Sequence, residues 1–161
     1  MSTSAVVALV VRCVLVMLFL PFSALDKIIG FHGAVQQAQQ VFRPRALALV
    51  VLMCGLAIEV IMSLGVITGV ADRLAALILA AYCAATAILY KRFWQPGDFW
   101  MPGDSKARGL FWDFLKNLSL GAGFLLIVVG PDGSGLRPFL AHPLASSHPY
   151  VSVHRPASES P

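Results

Sequence analysis

Four long apolar stretches joined by short polar connections organise this chain. Residues 5–25 carry one charge, Arg12, and residues 46–71 carry one, Glu59. Residues 74–90 carry none. The fourth stretch, residues 109–130, holds Asp113 and Lys116 in its first third and is cleanly apolar only beyond them. A hydrocarbon core of ~30 Å needs about 20 helical residues. Three stretches therefore span alone, and the fourth spans if its two charges lie at the interface. Lipid offers no partner to a bare backbone N–H or C=O, so the spans are helices. Only Asp72 and Arg73 separate the second from the third, which forces a tight helical hairpin.

The connections have their own character. Residues 26–45 mix Gln36, Gln37, Gln39 and Gln40 with Ile28, Ile29, Phe31, Val35 and Phe42. That mixture predicts a short helix lying in the interface rather than a solvated loop. Pro44 then marks the entry to the second span. Residues 91–108 carry Trp94, Phe99 and Trp100 among Pro and Gly, aromatics suited to the headgroup level. Ser23-Ala24 ahead of Asp26-Lys27 resembles a leader cleavage region, but residues 1–11 have no basic side chain and Arg12 breaks the apolar run. The first stretch therefore reads as a retained helix. Beyond residue 131 a Pro/Ser/His-rich tail, residues 132–161, has too little apolar content for a core and reads as disordered. The expected fold is an all-α integral membrane bundle of four transmembrane helices, residues 1–131, followed by that tail.

Composition agrees and narrows the function classes. Apolar residues make up 58% of the 161 and charged residues only 12%, too few to cover a water-soluble domain of this size. A soluble enzyme and a disordered chain are excluded. The net charge of +4 comes from 12 Lys/Arg against 8 Asp/Glu, with no basic run that would fit a nucleic acid. It serves instead as a topology signal. Lys27, Arg43, Arg45, Lys91, Arg92, Lys106, Arg108 and Lys116 fall on the side of the first and third connections; Arg73, Arg137 and Arg155 fall on the other, with Arg12 embedded nearby. This places connections 26–45 and 91–116 in the cytoplasm and both termini outside.

Chemistry-bearing residues are few. Cys13, Cys54 and Cys83 lie far apart within apolar stretches and form no CxxC or zinc spacing, so they read as small hydrophobes. Haem held between helices needs helical histidines, and none occurs in the four stretches. His142, His148 and His154 recur in the tail without a preformed geometry for a metal, and no metal site is expected. Charges inside a bilayer usually mark function. Arg12 lies ~10 Å and Glu59 ~15 Å from the same face at 1.5 Å per residue. Antiparallel neighbours at similar depth predict an Arg12–Glu59 pair, either a structural ion pair or a polar spot for a quinone head group, a proton or an anion. Gly65 and Gly69 form a GxxxG, and Ser119 with Gly123 repeats the spacing. Both fit close helix packing within the bundle, or a dimer seam.

Ordered motifs across residues 12–130 resemble the DoxX family of small four-helix bacterial membrane proteins. Residues 22–28, Phe-Ser-Ala-Leu-Asp-Lys-Ile, resemble the family's end of helix one, with Lys27 in place and Ala24 where Gly is usual. Gly55, Glu59, Gly65, Gly69, Arg73 and Ala76 follow its hairpin pattern, and Arg92, Phe93 and Trp94 its exit from helix three. Lys116, Asn117, Gly121 and Gly123 match the opening of helix four, with Ala122 replacing a Gly. The resemblance implies a bacterial inner-membrane subunit associated with a redox system, quinone-linked in some members. The expected partners are the bilayer and a redox or membrane protein. It supplies no catalytic set to carry over, so catalysis stays open. A non-catalytic anchor or assembly factor is the alternative reading, and a small transporter a third.

Overall fold

The structure is a computed structural model and describes residues 2–130 and 136–150. Among these, seven α-helices and one π-helical stretch account for the regular structure: α1 Thr3–Met17, the π-helical stretch Leu18–Ser23, α2 Ala24–Ile29, α3 Phe31–Gln39, α4 Arg45–Thr68, α5 Asp72–Tyr90, α6 Lys106–Val129 and α7 Arg137–Ala141. Four helical runs are long and apolar enough to cross a bilayer: Thr3–Ile29, Arg45–Thr68, Asp72–Tyr90 and Lys106–Val129. The fold is an all-α membrane bundle.

The first span differs most from the expected one. It does not stop at Leu25 but runs to Ile29 through a kink at Leu20, whose φ of −117° and ψ of 106° leave the helical region. Pro21 explains the break, since it gives no N–H to the ladder and its ring crowds the preceding turn. Past the kink, the end of the π-helical stretch and α2 carry Ser23 and Lys27 back toward the bundle instead of out into the interface. Gly30 then ends α2, and α3 packs on the start of α4.

The α4–α5 hairpin is as tight as the spacing of Asp72 and Arg73 requires. Gly69 closes α4 with φ +79°, a left-handed conformation open to Gly at little cost. Ser105 caps the first turn of α6, and Asp98 accepts the Lys106 and Ala107 amides at 2.7 and 3.0 Å. Desolvation pushes the Asp98 carboxyl up, but the amide hydrogen bonds outweigh it and hold the group below the usual carboxylate range.

One stripe of α4 (Ala48, Leu52, Gly55, Glu59, Ser63, Val66) faces inward at steps of three and four. The core joins Val16 and Phe19 to Val66, Leu79, Cys83, Phe124 and Val128. Outward faces such as Val10, Val14, Ile61 and Leu126 stay exposed, as lipid-facing residues should. Between helices in lipid there is little hydrophobic gain, so close packing carries the association. Gly65 accordingly faces Ala75, where an added Cβ would sit 3.0 Å from the Ala75 methyl, and Gly121 faces Ala80 and Cys83. These glycines serve contacts within the chain.

Tail residues 136–150 make specific contacts that composition alone does not reveal. Phe139 joins the core, Tyr150 donates its hydroxyl to the Ile67 carbonyl, and the Ser147 amide donates to Asp72 Oδ1 at 2.9 Å. His154 and Arg155, named in the sequence analysis, lie outside the described residues.

Candidate functional site

The two charges expected to pair do not meet. Arg12 donates to Asp72 Oδ2 at 2.6 Å, to the Val66 carbonyl at 2.7 Å and to Ser147 Oγ at 3.0 Å. Glu59 instead accepts from Lys27 Nζ at 2.7 and 2.9 Å, from Tyr82 Oη at 2.9 Å and from Ser23 Oγ at 3.0 Å. The expectation of an Arg12–Glu59 pair is therefore corrected to two separate clusters. The depth estimate neglected where side chains point. Cα–Cβ bonds lean toward a helix's own N-terminus. On antiparallel α1 and α4, Arg12 leans toward the chain-termini side and Glu59 toward the opposite side. Val66, whose carbonyl Arg12 reaches, lies seven residues beyond Glu59, a rise of about 10 Å. Lys27 leans back down its own helix and so meets Glu59 head on.

Both clusters are buried. Arg12 and Asp72 are 6% and 0% exposed, and Glu59 is 1% exposed. The Lys27 side chain keeps 23%, because it borders a cavity. That cavity, about 900 Å³, runs between the π-helical stretch, α2, α3, α4 and α5 from Gln37, Tyr90 and Lys91 inward to Glu59 and Tyr82. Its walls are mainly apolar, with Phe19, Phe22, Ile58 and Leu89 among them. Phe19 meets Tyr82 edge to face with ring centroids 6.0 Å apart. Gly55 makes room for the Tyr82 hydroxyl, since a Cβ there would lie 3.1 Å from it. Three donors thus converge on one buried carboxylate in the wall of a largely apolar cavity. Such an arrangement can hydrogen-bond a carbonyl or phenolic oxygen and exchange a proton with it.

The other expected positions have assigned places. Arg73 stands in the first turn of α5 beside Asp72, its Nε buried. Gly123 approaches Leu15 of α1. Asn117 lines the cavity, and Lys116 reaches Asp113 at 3.4 Å, sharing it with Lys91 at 3.0 Å. Phe93 centres an aromatic cluster with Trp94, Phe99, Phe111 and Phe114. Arg92 lines a second, smaller pocket.

None of Asp72, Tyr82, Ser23 and Ser147 stands out in the sequence as a site residue. Asp72 looks like a hairpin residue, and its burial follows only from the tail and α1 closing over it. Tyr82 offered the better signal, as one of few hydroxyl side chains in the charge-free third span.

Comparison with known proteins places the chain. The DoxX family model matches residues 7–92. The chain belongs to the DoxX family. It is also similar to the inner membrane protein YphA of Escherichia coli (strain K12), 26% identical over 129 residues that cover 80% of this chain and 86% of that one. No solved structure matches. The DoxX match spans Arg12, Lys27, Glu59, Asp72 and Tyr82, so both polar clusters apart from Ser147 lie within the family domain. The chain is a multi-pass protein of the inner membrane.

Proposed function

We propose that this DoxX protein is a membrane subunit of a redox system that holds a quinone head group against Lys27, Tyr82 and Glu59. The observation that carries the reading is the convergence of Lys27, Tyr82 and Ser23 on Glu59 in the wall of the cavity. A volume of about 900 Å³ is within the range of small-molecule sites. The walls suit an apolar ring and isoprenoid chain, and the donors suit carbonyl oxygens. A quinone, when bound, supplies two-electron, two-proton carrier chemistry. The chain's own part is to position and protonate. Lys27 and Tyr82 orient an oxygen beside Glu59, Ser23 holds the Lys27 ammonium through its Oγ, and Glu59 holds or releases a proton next to that oxygen. Electrons come from a partner protein, and docking is the second duty of the subunit.

Extraction of quinones from the purified protein, followed by mass spectrometry, tests the reading. Bound quinone near one per chain, reduced severalfold in Glu59→Gln, is expected. Preparations that stay empty after mild solubilisation would sink it.

The anchor reading draws on the 91–105 connection. Arg108 ties it down by donating to the Phe99, Met101 and Gly103 carbonyls, while Trp100 is left 90% exposed. Replacing this loop should release a stoichiometric partner if docking is the main role.

Orientation is part of the proposal. Lys27 is spent on Glu59 inside the bundle, which removes it from the loop count. Arg43, Arg45, Lys91, Arg92, Lys106, Arg108 and Lys116 still outnumber Arg73, Arg137 and Arg155, seven to three. The first and third connections then face the cytoplasm, and the end of the cavity lined by Gln37, Tyr90 and Lys91 lies on that side. A reporter after Pro161 that proves cytoplasmic would overturn this.

A further inference from the structure

Beside the mouth of the large cavity lies a second pocket of about 440 Å³, built where α3, the end of α5 and the start of α6 come together. It shares Gln37, Leu89 and Tyr90 with the large cavity. Two cations line it, Arg92 and Lys106, and no Asp or Glu does. Among the described residues neither makes an ion pair. The nearby Asp98 directs its carboxylate at the backbone amides of Lys106 and Ala107. Three amides, Gln37, Gln40 and Gln95, add neutral hydrogen-bond donors around the cations. The pocket is therefore a concave, donor-rich, cationic place without an anion.

Its position narrows what that anion is. Arg92 and Lys106 lie at the ends of spanning helices, and the adjoining connection carries the exposed Trp94 and Trp100, which belong at the headgroup level. Val41 and Leu110 give the pocket an apolar side. Basic pockets between transmembrane helices recognise phospholipid head groups through the same combination. Arg92 can hold two phosphate oxygens at once, and Lys106 adds a point charge.

We propose that this pocket binds the phosphate of an anionic phospholipid, with the glycerol backbone against Val41 and Leu110. The lipid then borders the entrance to the large cavity at Gln37 and Tyr90. This assignment does not depend on what occupies that cavity.

The test is a delipidated, purified preparation titrated with phosphatidylglycerol or phosphatidylcholine and read by native mass spectrometry. A cation at an anionic head group is worth on the order of a fivefold factor, so two predict a preference of roughly 25-fold for phosphatidylglycerol. Arg92→Gln with Lys106→Gln should reduce the preference to about twofold or less, with the thermal transition of the protein retained. A matched control, Arg43→Gln with Arg45→Gln, removes the same charge from the same side and should keep the preference. Equal binding of the two lipids by the unaltered protein would overturn the proposal. So would an undiminished preference in the first double variant, or an equal loss in the control. Inorganic phosphate forms the remaining arm: if millimolar phosphate alone displaces the lipid completely, the site belongs to a soluble phosphate and the lipid assignment fails.

Discussion

Removing Lys27 from α2 should reveal how strongly the Glu59 cluster depends on it. In Lys27→Met, the Glu59 carboxylate stays 1% exposed and keeps only the Tyr82 and Ser23 hydroxyls as side-chain donors. Breaking a buried ion pair by deleting one partner costs about 3–5 kcal/mol. Lys27 is 23% exposed at the cavity wall, so water softens the loss and about 2–3 kcal/mol is the expected cost. Glu59→Gln alone should cost a similar amount. Lys27→Met with Glu59→Gln removes both charges and should cost well under the sum of the singles, a coupling of at least ~1.5 kcal/mol. The same cycle on Arg12→Gln and Glu59→Gln should be additive within ~0.5 kcal/mol, because the two side chains share no partner. Reversible unfolding in detergent micelles, followed by circular dichroism, measures all the variants. A strong Arg12–Glu59 coupling with additive Lys27–Glu59 effects would refute the two-cluster arrangement.

Other variants probe separate joints of the structure. Gly55→Ala places a methyl 3.1 Å from the Tyr82 hydroxyl, and displacing that group from Glu59 should destabilise by about 1 kcal/mol in the same unfolding assay. Asp72→Asn leaves the Arg12 guanidinium buried without its anion and should cost about 3–5 kcal/mol. Because Ser147 also binds Asp72, that variant should cleave faster in the tail on limited proteolysis. Asp98 has a lowered folded pKa, so its contribution is fully present above the unfolded value of about 3.9. It is lost as pH falls through the lower folded value. Hydrogen exchange at the Lys106 and Ala107 amides should show the start of α6 loosening over that acid range, with Asp98→Asn loosened already at neutral pH.

Much of the fold is legible from the apolar pattern, because a helix crossing lipid must be long and nearly charge-free. Asp72 and Arg73 disclose the hairpin for the same reason. The site is less legible. Arg12, Lys27 and Glu59 all stand out by charge or by family pattern, but their partners depend on geometry that residue spacing does not carry. Pro21 redirects α2, so Lys27 returns to the bundle although its position reads as a loop. Opposite side-chain lean on antiparallel helices separates Arg12 from Glu59 although their depths agree. Asp72 and Ser147 lie 75 residues apart, and no local pattern announces their contact.

The central claim is that a quinone binds in the cavity beside Glu59, and a photoreactive short-chain quinone tests it most directly. After illumination of the purified protein, peptide mapping should place the label on residues 18–27 and 82–90, with labelling cut severalfold in Glu59→Gln. Label spread over lipid-facing positions such as Val10 and Ile61, unchanged in that variant, would contradict the account.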